Sequence, residues 1–323
     1  MNISHVHLLL DHFPTIGTLI GLALLVGSLI SKNEHERRAG LGVLAAISVV
    51  AFPAFMSGRA AQAALKDVPG VSVAVITRHF DAAIPAFLAM QVVGALAWLG
   101  LWQSRRRSQI PTATFAGVLV TGFATMLLMM QAANLGGEIR HPEILLTPVT
   151  DGAGGAVASG DAAVFTVSWL QSQTIAHLVQ TNRWIWPICE IIHYIGLCLL
   201  VGVVMIVNLR FFGLLKSVPF AAMSALLPWA VLGLGLNTIS GLVFFIGAPK
   251  LYITNPAYAW KMVFLMLAGL NGLYLTMFAD EAWALKAGEK ASFPLRTAAA
   301  CAIVLWAGVL YLGRMLPFVG NAY

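Results

Sequence analysis

Long apolar segments alternate with short polar segments along the whole chain. Eight of these segments reach the roughly 20 mostly apolar residues that a membrane-spanning helix needs. They lie at residues 13–30, 41–57, 80–102, 112–135, 185–209, 221–247, 258–279 and 295–315. This pattern predicts an all-α integral membrane protein with eight transmembrane helices.

The longest polar interval separates the first four predicted helices from the last four. It covers residues 136–184 and contains the Gly-, Ala- and Asp-rich run TPVTDGAGGAVASGDAA. The mixed-polarity stretch that follows, AVFTVSWLQSQTIAHLVQTNRW, predicts a short amphipathic helix on the membrane surface. We therefore expect two four-helix bundles, at 1–145 and 184–323, joined by an extracytoplasmic linker and surface helix at 146–183.

Composition supports the membrane assignment and restricts the meaning of the charges. The chain is 59% hydrophobic and only 10% charged, whereas soluble domains have roughly 25% charged residues. The net charge of +6 therefore indicates topology, and we expect membrane lipid rather than nucleic acid as a partner. Lys and Arg are more numerous in the loops after the first, third, fifth and seventh helices, most clearly at Arg105, Arg106 and Arg107. This bias predicts cytoplasmic loops there and both termini outside.

Seven of the chain's eight histidines fall on the predicted outer side. They are His5, His7, His12, His79, His141, His177 and His193. Outer loops are more polar, and an imidazole is stable at a membrane interface, which is our interpretation of His5 and His177. The other interpretation is that imidazoles from neighbouring helices converge on a metal or a haem.

A b-type haem needs imidazole ligands from different helices, and His12 with His79 is the best such pair. Each opens a long apolar helix at a similar depth. His7 and His141 are alternative ligands. Pro14 leaves two geometries open: the first helix starts at Pro14 with His12 in a loop, or it starts near Ser4 and Pro14 kinks it.

Other metals are weaker alternatives. A catalytic zinc site needs three His or carboxylate ligands and an open position. The available zinc ligands are His5, His7, Asp11 and His12, and their spacing is not a strong zinc pattern. Copper(I) favours thioethers, which Met126, Met129 and Met130 could supply, although Met at helical spacing is more often core filler.

The fifth helix carries an intramembrane carboxylate, which usually marks a functional site. Glu190 lies three residues before His193, so the two share a helix face. Glu190 is expected to fix the tautomer of His193 for a metal or haem, or to carry protons to a quinone or along a relay. The structural alternative is an ion pair between Glu190 and Lys261.

The first half resembles a bacterial four-helix membrane domain of unknown function over residues 5–145. The resemblance rests on the motif His12-Phe13-Pro14, on His79 at the start of the third helix, and on Gly136-Gly137-Glu138 followed by His141.

The second half resembles another bacterial membrane domain of unknown function over residues 168–278. Its pattern consists of WLQS, PICEIIHYIGLCLLVG, LRFFG, LPW, TISGLVFF, NPAYAWKM and LAGLN, and it includes Arg210 and Asn271. Relatives often continue with Phe-His after AGLN, whereas this chain has no histidine there. Both halves are similar in plan to cytochrome b561-like and copper-resistance-type four-helix membrane proteins, in which haem b lies between helices.

The resemblance and the histidines together predict a haem b electron-transfer subunit of the bacterial inner membrane. We expect it to link a periplasmic c-type cytochrome or another redox subunit to quinone or a further membrane subunit, in a homo- or hetero-oligomer and as part of an oxidoreductase complex. The alternatives are a transporter or metal-handling protein, and an anchoring subunit without chemistry.

Overall fold

The computed structural model describes residues 3–65, 72–107, 109–140 and 170–319. These parts are helical and contain no strand. The helices are α1 (Ile3–Leu10), α2 (His12–Ser31), α3 (Glu34–Leu65), α4 (Val73–Arg107), α5 (Thr112–Arg140), α6 (Ser172–Thr181), α7 (Ile185–Phe212), α8 (Phe220–Ser224), α9 (Leu227–Gly247), α10 (Lys250–Ile253), α11 (Pro256–Met277), α12 (Asp280–Ala284) and α13 (Phe293–Met315).

Eight spans in the described chain are long and apolar enough to cross a membrane. They follow the eight predicted segments in order, which confirms an all-α, multi-pass membrane protein. Several helices are longer than the apolar pattern. The second span, predicted at 41–57, runs over 34–65, because charged and small residues extend the helix at both ends. Residues 146–169 of the predicted linker and surface helix at 146–183 lie outside the described residues, and α6 confirms a short helix in the remainder.

The first helix is broken near its start. Residues Ile3 to Leu10 form α1, Asp11 is a turn, and α2 begins at His12. Pro14 explains the break, because it has no N–H to donate to Leu10 and its ring clashes with that carbonyl. The structure therefore matches the second of the two geometries left open by the sequence.

The first half is a closed bundle, in which α2, α3, α4 and α5 pack in sequence and α5 returns to α2. In the second half α7 packs on α9 and on α13, and α13 packs on α11. In the described chain α9 and α11 are not close neighbours of each other. Instead, α3 and α4 pack against α11, and α4 also contacts α9. The two halves are thus in extensive contact.

The end of the bundle that carries Arg105 and Arg210 is here named the arginine end. The opposite end is named the histidine end, and it carries His7, His79 and His193. At the arginine end α4 is bonded to the second half. Trp102 Nε1 donates to the carbonyl of Ser224 at 2.7 Å, and Arg105 Nε donates to that of Thr276 at 2.8 Å. Arg105 also pairs with Asp280. The arginine cluster that indicated topology therefore also joins the halves.

Arg210 is fully buried at the end of α7. Its guanidinium donates to the carbonyl oxygens of Val218 at 2.8 Å, Lys286 at 2.7 Å and Glu289 at 3.1 Å. A buried charge is stable only when its donors are satisfied. Arg210 consequently holds together the two loops that follow α7 and α12.

The crossing of α7 and α9 depends on glycine. A Cβ added at Gly233 would lie 2.6 Å from the carbonyl oxygen of Gly196 and 2.7 Å from the amide nitrogen of Leu200. Both atoms belong to the backbone, so neither can rotate away. Small residues allow this close approach of membrane helices.

We expect Gly233→Ala to separate α7 from α9 and to destabilise the protein by roughly 1–3 kcal/mol, the usual cost of overpacking. Thermal unfolding in detergent measures the effect. Gly235→Ala is the matched control on the same helix, because a Cβ there meets nothing within 4 Å. Equal stabilities of the two variants would contradict the close crossing.

Candidate functional site

His7 is held against the first bundle by a hydrogen bond to α3. Its Nδ1 lies 2.9 Å from the carbonyl oxygen of Ala54. A carbonyl oxygen only accepts, so Nδ1 carries the proton and Nε2 is unprotonated in the neutral ring. Gly58 makes room for the ring, since a Cβ there would lie 3.0 Å from His7 Cε1.

His79 has the same arrangement on the other side of the bundle. Its Nδ1 donates to the carbonyl oxygen of Ala132 on α5, at 2.8 Å. Gly136 adjoins this ring, and a Cβ there would lie 3.1 Å from His79 Cε1. His7 and Asp11 are both close enough to His79 to affect it electrostatically. His7 and His79 therefore share one hydrogen-bonding arrangement, and they are here called the histidine pair of the first half.

His12 is the first residue of α2. Its side chain is 77% exposed and pairs through Nδ1 with the carboxylate of Asp11. His12 lies five positions after His7, and Asp11 between the two helices keeps helical backbone angles. Five positions correspond to a rotation of about 140° at 3.6 residues per turn. When α1 places His7 against α3, His12 consequently faces away from it.

Two charged residues that the sequence did not single out lie beside this pair. The guanidinium of Arg59 stacks over the Phe80 ring, 4.4 Å from its centroid, and interacts electrostatically with Asp81. Arg59 Nε is buried without a hydrogen-bond partner among the described residues. The Asp81 carboxylate accepts a hydrogen bond from Ser172 N at 2.9 Å, at the start of α6.

Glu138 of the Gly-Gly-Glu motif is near the end of α5. Its Oε1 accepts from Asn134 Nδ2 at 3.4 Å, while its Oε2 is buried and has no partner among the described residues. An unpaired buried carboxylate oxygen remains available to a donor. His141, the alternative ligand that follows this motif, lies outside the described residues, and so does the side chain of His5.

In the second half His193 repeats the arrangement of His7 and His79. Its Nδ1 is 2.9 Å from Ser240 Oγ, and that hydroxyl donates its single proton to the Leu236 carbonyl at 2.7 Å. Ser240 therefore accepts from His193, and Nε2 of His193 is again unprotonated. The ring lies 5.8 Å from that of Phe244, between centroids.

Glu190 does not form the contacts that the sequence suggested. Its carboxylate accepts from Trp186 Nε1 at 3.1 Å. Within the described chain it makes no ion pair with Lys261 and no hydrogen bond with His193. It does influence Tyr252, a residue of α10 outside the spans. Burial first, and Glu190 second, raise the pKa of the Tyr252 phenol to about 12, so this phenol stays protonated at neutral pH.

A site with three metal ligands is not present in the part of the chain that the structure describes. No group of three His, Cys, Asp or Glu residues is close enough together to hold an ion. The methionines also diverge, since Met129 is buried whereas Met130 is 53% exposed. The Thr18 hydroxyl lies 3.4 Å and 3.6 Å from the sulfur atoms of Met90 and Met129, which makes these thioethers part of the core.

Comparisons with known proteins do not identify a function for this site. No protein-family description matches the chain, and no curated protein or solved structure is similar to it.

We expect the neutral rings of His7, His79 and His193 to carry their proton on Nδ1 and none on Nε2. Nitrogen-15 NMR of protein labelled at histidine distinguishes the two tautomers, and the variants His7→Asn, His79→Asn and His193→Asn assign the signals. Ser240→Ala removes the acceptor of His193 only, so its signal should change while that of His79 does not. An Nε2–H tautomer at His79 would contradict the assigned hydrogen bond.

Proposed function

We propose that the first half of the protein binds a b-type haem through His7 and His79, and that the protein is a membrane electron-transfer subunit. The observation that carries the proposal is that the two rings have the same hydrogen bonding and the same tautomer. Each donates Nδ1–H to a backbone carbonyl and has an unprotonated Nε2 without a described partner. Histidines that ligate metals have this arrangement.

The surroundings of the two rings fit such a group. Gly58 and Gly136 adjoin the rings, so no Cβ occupies those places. Arg59 contributes a cation with an unpaired Nε, which suits the carboxylates of a porphyrin. Below the rings, Phe55 stacks on Phe80 with centroids 5.4 Å apart. The space between α3 and α4 is therefore filled there, and we place the haem at the histidine end.

The bound haem would supply one-electron transfer, and the residues of the chain would orient and tune it. The carbonyls of Ala54 and Ala132 fix the ring orientations of His7 and His79 and keep both Nε2 atoms available. We propose that electrons enter from a periplasmic partner, such as a c-type cytochrome, and leave to quinone or another membrane subunit. The positive bias of the other end supports a bacterial inner-membrane protein with periplasmic termini.

The reduced-minus-oxidised spectrum of the purified protein tests the proposal. We expect b-type bands, and a loss of haem of at least about tenfold in His7→Asn and in His79→Asn. The new amide can still donate to Ala54 or Ala132, so the fold is retained while the ligand nitrogen is lost. His12→Asn is the matched control and should keep its haem.

Three outcomes would overturn the proposal. The first is a protein without b-type bands under haem-replete expression. The second is a haem that persists in His7→Asn and disappears in His12→Asn, which would restore the pair expected from the sequence. The third is a stoichiometric metal ion without porphyrin, which would favour a metal-handling protein.

A second test uses neighbouring glycines of α5. A Cβ at Gly136 would press on the His79 ring at 3.1 Å, whereas one at Gly137 meets nothing within 4 Å. We therefore expect Gly136→Ala to shift the haem bands or the midpoint potential, and Gly137→Ala to leave both unchanged. Identical spectra and potentials in both variants would show that His79 is not a ligand.

A further inference from the structure

A cavity of about 140 Å³ lies between the two halves, toward the arginine end, and is partly open. Helices α7, α9, α11 and α13 of the second half line it, together with α4 and with Val49 and Phe52 of α3 from the first half. The wall is almost entirely apolar. An apolar cavity of about 150 Å³ is large enough to hold a benzene ring. The cavity therefore has the size of one aromatic ring.

Two buried amides interrupt this apolar wall. Asn208 Nδ2 donates to the Val204 carbonyl at 2.8 Å, and Asn271 Nδ2 donates to the Ala298 carbonyl at 3.2 Å. Carbonyl oxygens only accept, so the amide nitrogens must face them. The Oδ1 atoms of both asparagines are left buried without a partner among the described residues. Asn208 is only 2% exposed, so bulk water cannot satisfy it.

Most hydrogen-bond donors of the same wall are already used. Trp98 Nε1 donates to Thr276 Oγ1 at 3.0 Å, and the Thr276 hydroxyl donates to the Gly272 carbonyl at 2.9 Å. The indoles of Trp102 and Trp283 also donate to backbone carbonyls. The cavity thus offers two free acceptors, with the Trp306 indole as a donor that has no described acceptor. An occupant that satisfies both amide oxygens has to donate hydrogen bonds to them.

We propose that this cavity binds a single aromatic ring carrying hydroxyl groups, the chemical class of phenols and hydroquinones. The ring fills the apolar volume, and its hydroxyl groups donate to Asn208 Oδ1 and Asn271 Oδ1. A quinone of the same size has acceptors only. It can accept a hydrogen bond from Trp306 but leaves both amides unpaired, so the site favours the reduced form. The site lies at the arginine end, whereas His7 and His79 lie at the histidine end, and it is independent of whether haem binds there.

Binding is measured with the protein in lipid nanodiscs, and empty nanodiscs correct for partition into lipid. The probes are hydroquinone and 1,4-dimethoxybenzene, a similar ring without hydroxyl donors. We expect saturation-transfer NMR to detect hydroquinone on the protein at an affinity about 25- to 100-fold above that of the dimethoxy compound, the effect of about two hydrogen bonds. A decyl-substituted hydroquinone then distinguishes two kinds of ligand. If it binds, the site accepts the head group of a lipid-soluble quinol. If only hydroquinone itself binds, the site accepts small free phenols.

Variants locate the site. Asn208→Leu and Asn271→Leu should each weaken hydroquinone binding about five- to tenfold and leave 1,4-dimethoxybenzene unaffected. Asn237→Leu is the matched control, because its Oδ1 is also unpaired but the residue does not line the cavity. Ala230→Phe fills the cavity and should abolish binding, so it tests the site even if an asparagine variant fails to fold.

The proposal is overturned if hydroquinone binds no better than it does to empty nanodiscs, or no better than the dimethoxy compound. It is also overturned if hydroquinone binding survives in Ala230→Phe, or if Asn237→Leu weakens it as much as Asn208→Leu does. None of these measurements involves the haem spectrum, so a protein without haem can still bind the ring.

Discussion

The rest of this structure depends on one constraint: polar groups inside an apolar bundle must find their partners within the protein. In this chain the partners are mainly backbone carbonyl oxygens of neighbouring segments. His79 bonds to α5, and Arg105 bonds to the end of α11. Arg210 donates to three carbonyls and, within the described chain, pairs with no carboxylate. Lipid cannot replace these acceptors, so each bond fixes the position of one segment relative to another.

A carbonyl acceptor also determines what the rest of a side chain can do. Imidazole and amide side chains each have a hydrogen-bond donor and an acceptor. When the donor bonds to a backbone carbonyl, the acceptor remains free. In His7 and His79 the free acceptor is Nε2, and in Asn208 and Asn271 it is Oδ1. The same interaction thus prepares imidazole nitrogens at the histidine end and amide oxygens in the second half. Their different chemistry supports a metal in one place and a hydroxyl donor in the other.

The sequence was sufficient for the part of the fold that hydropathy controls. All eight spans were predicted, because a long apolar run has few alternatives to a membrane helix. The short helix α6 was predicted as well, from a stretch of mixed polarity. The choice of His12 over His7 was different, since it depended on whether α1 is helical before Pro14. The rotation of about 140° between the two residues decides which imidazole faces the bundle, and composition carries no information about it.

Contacts between the halves were also beyond the sequence. In the sequence Arg105 is only a topological signal. The packing of α4 against the second half gives Arg105, Trp98 and Trp102 their partners. Arg59 and Asp81 were overlooked for a similar reason, because each was a single charge near a predicted helix end. Their significance comes from neighbours that are distant in the chain, Phe80 for one and Ser172 for the other.

Aromatic side chains of α3 and α4 form a continuous series between the two proposed sites. Phe80 follows His79 in the chain, and it stacks on Phe55, which stacks on Phe87 with centroids 4.6 Å apart. Phe87 in turn meets Phe52 edge to face at 5.3 Å, and Phe52 lines the cavity. Rings this closely packed leave no space for a ligand between the sites. A porphyrin at the histidine end and a single ring in the cavity between the halves would therefore be separate occupants, connected through the packed core of α3 and α4.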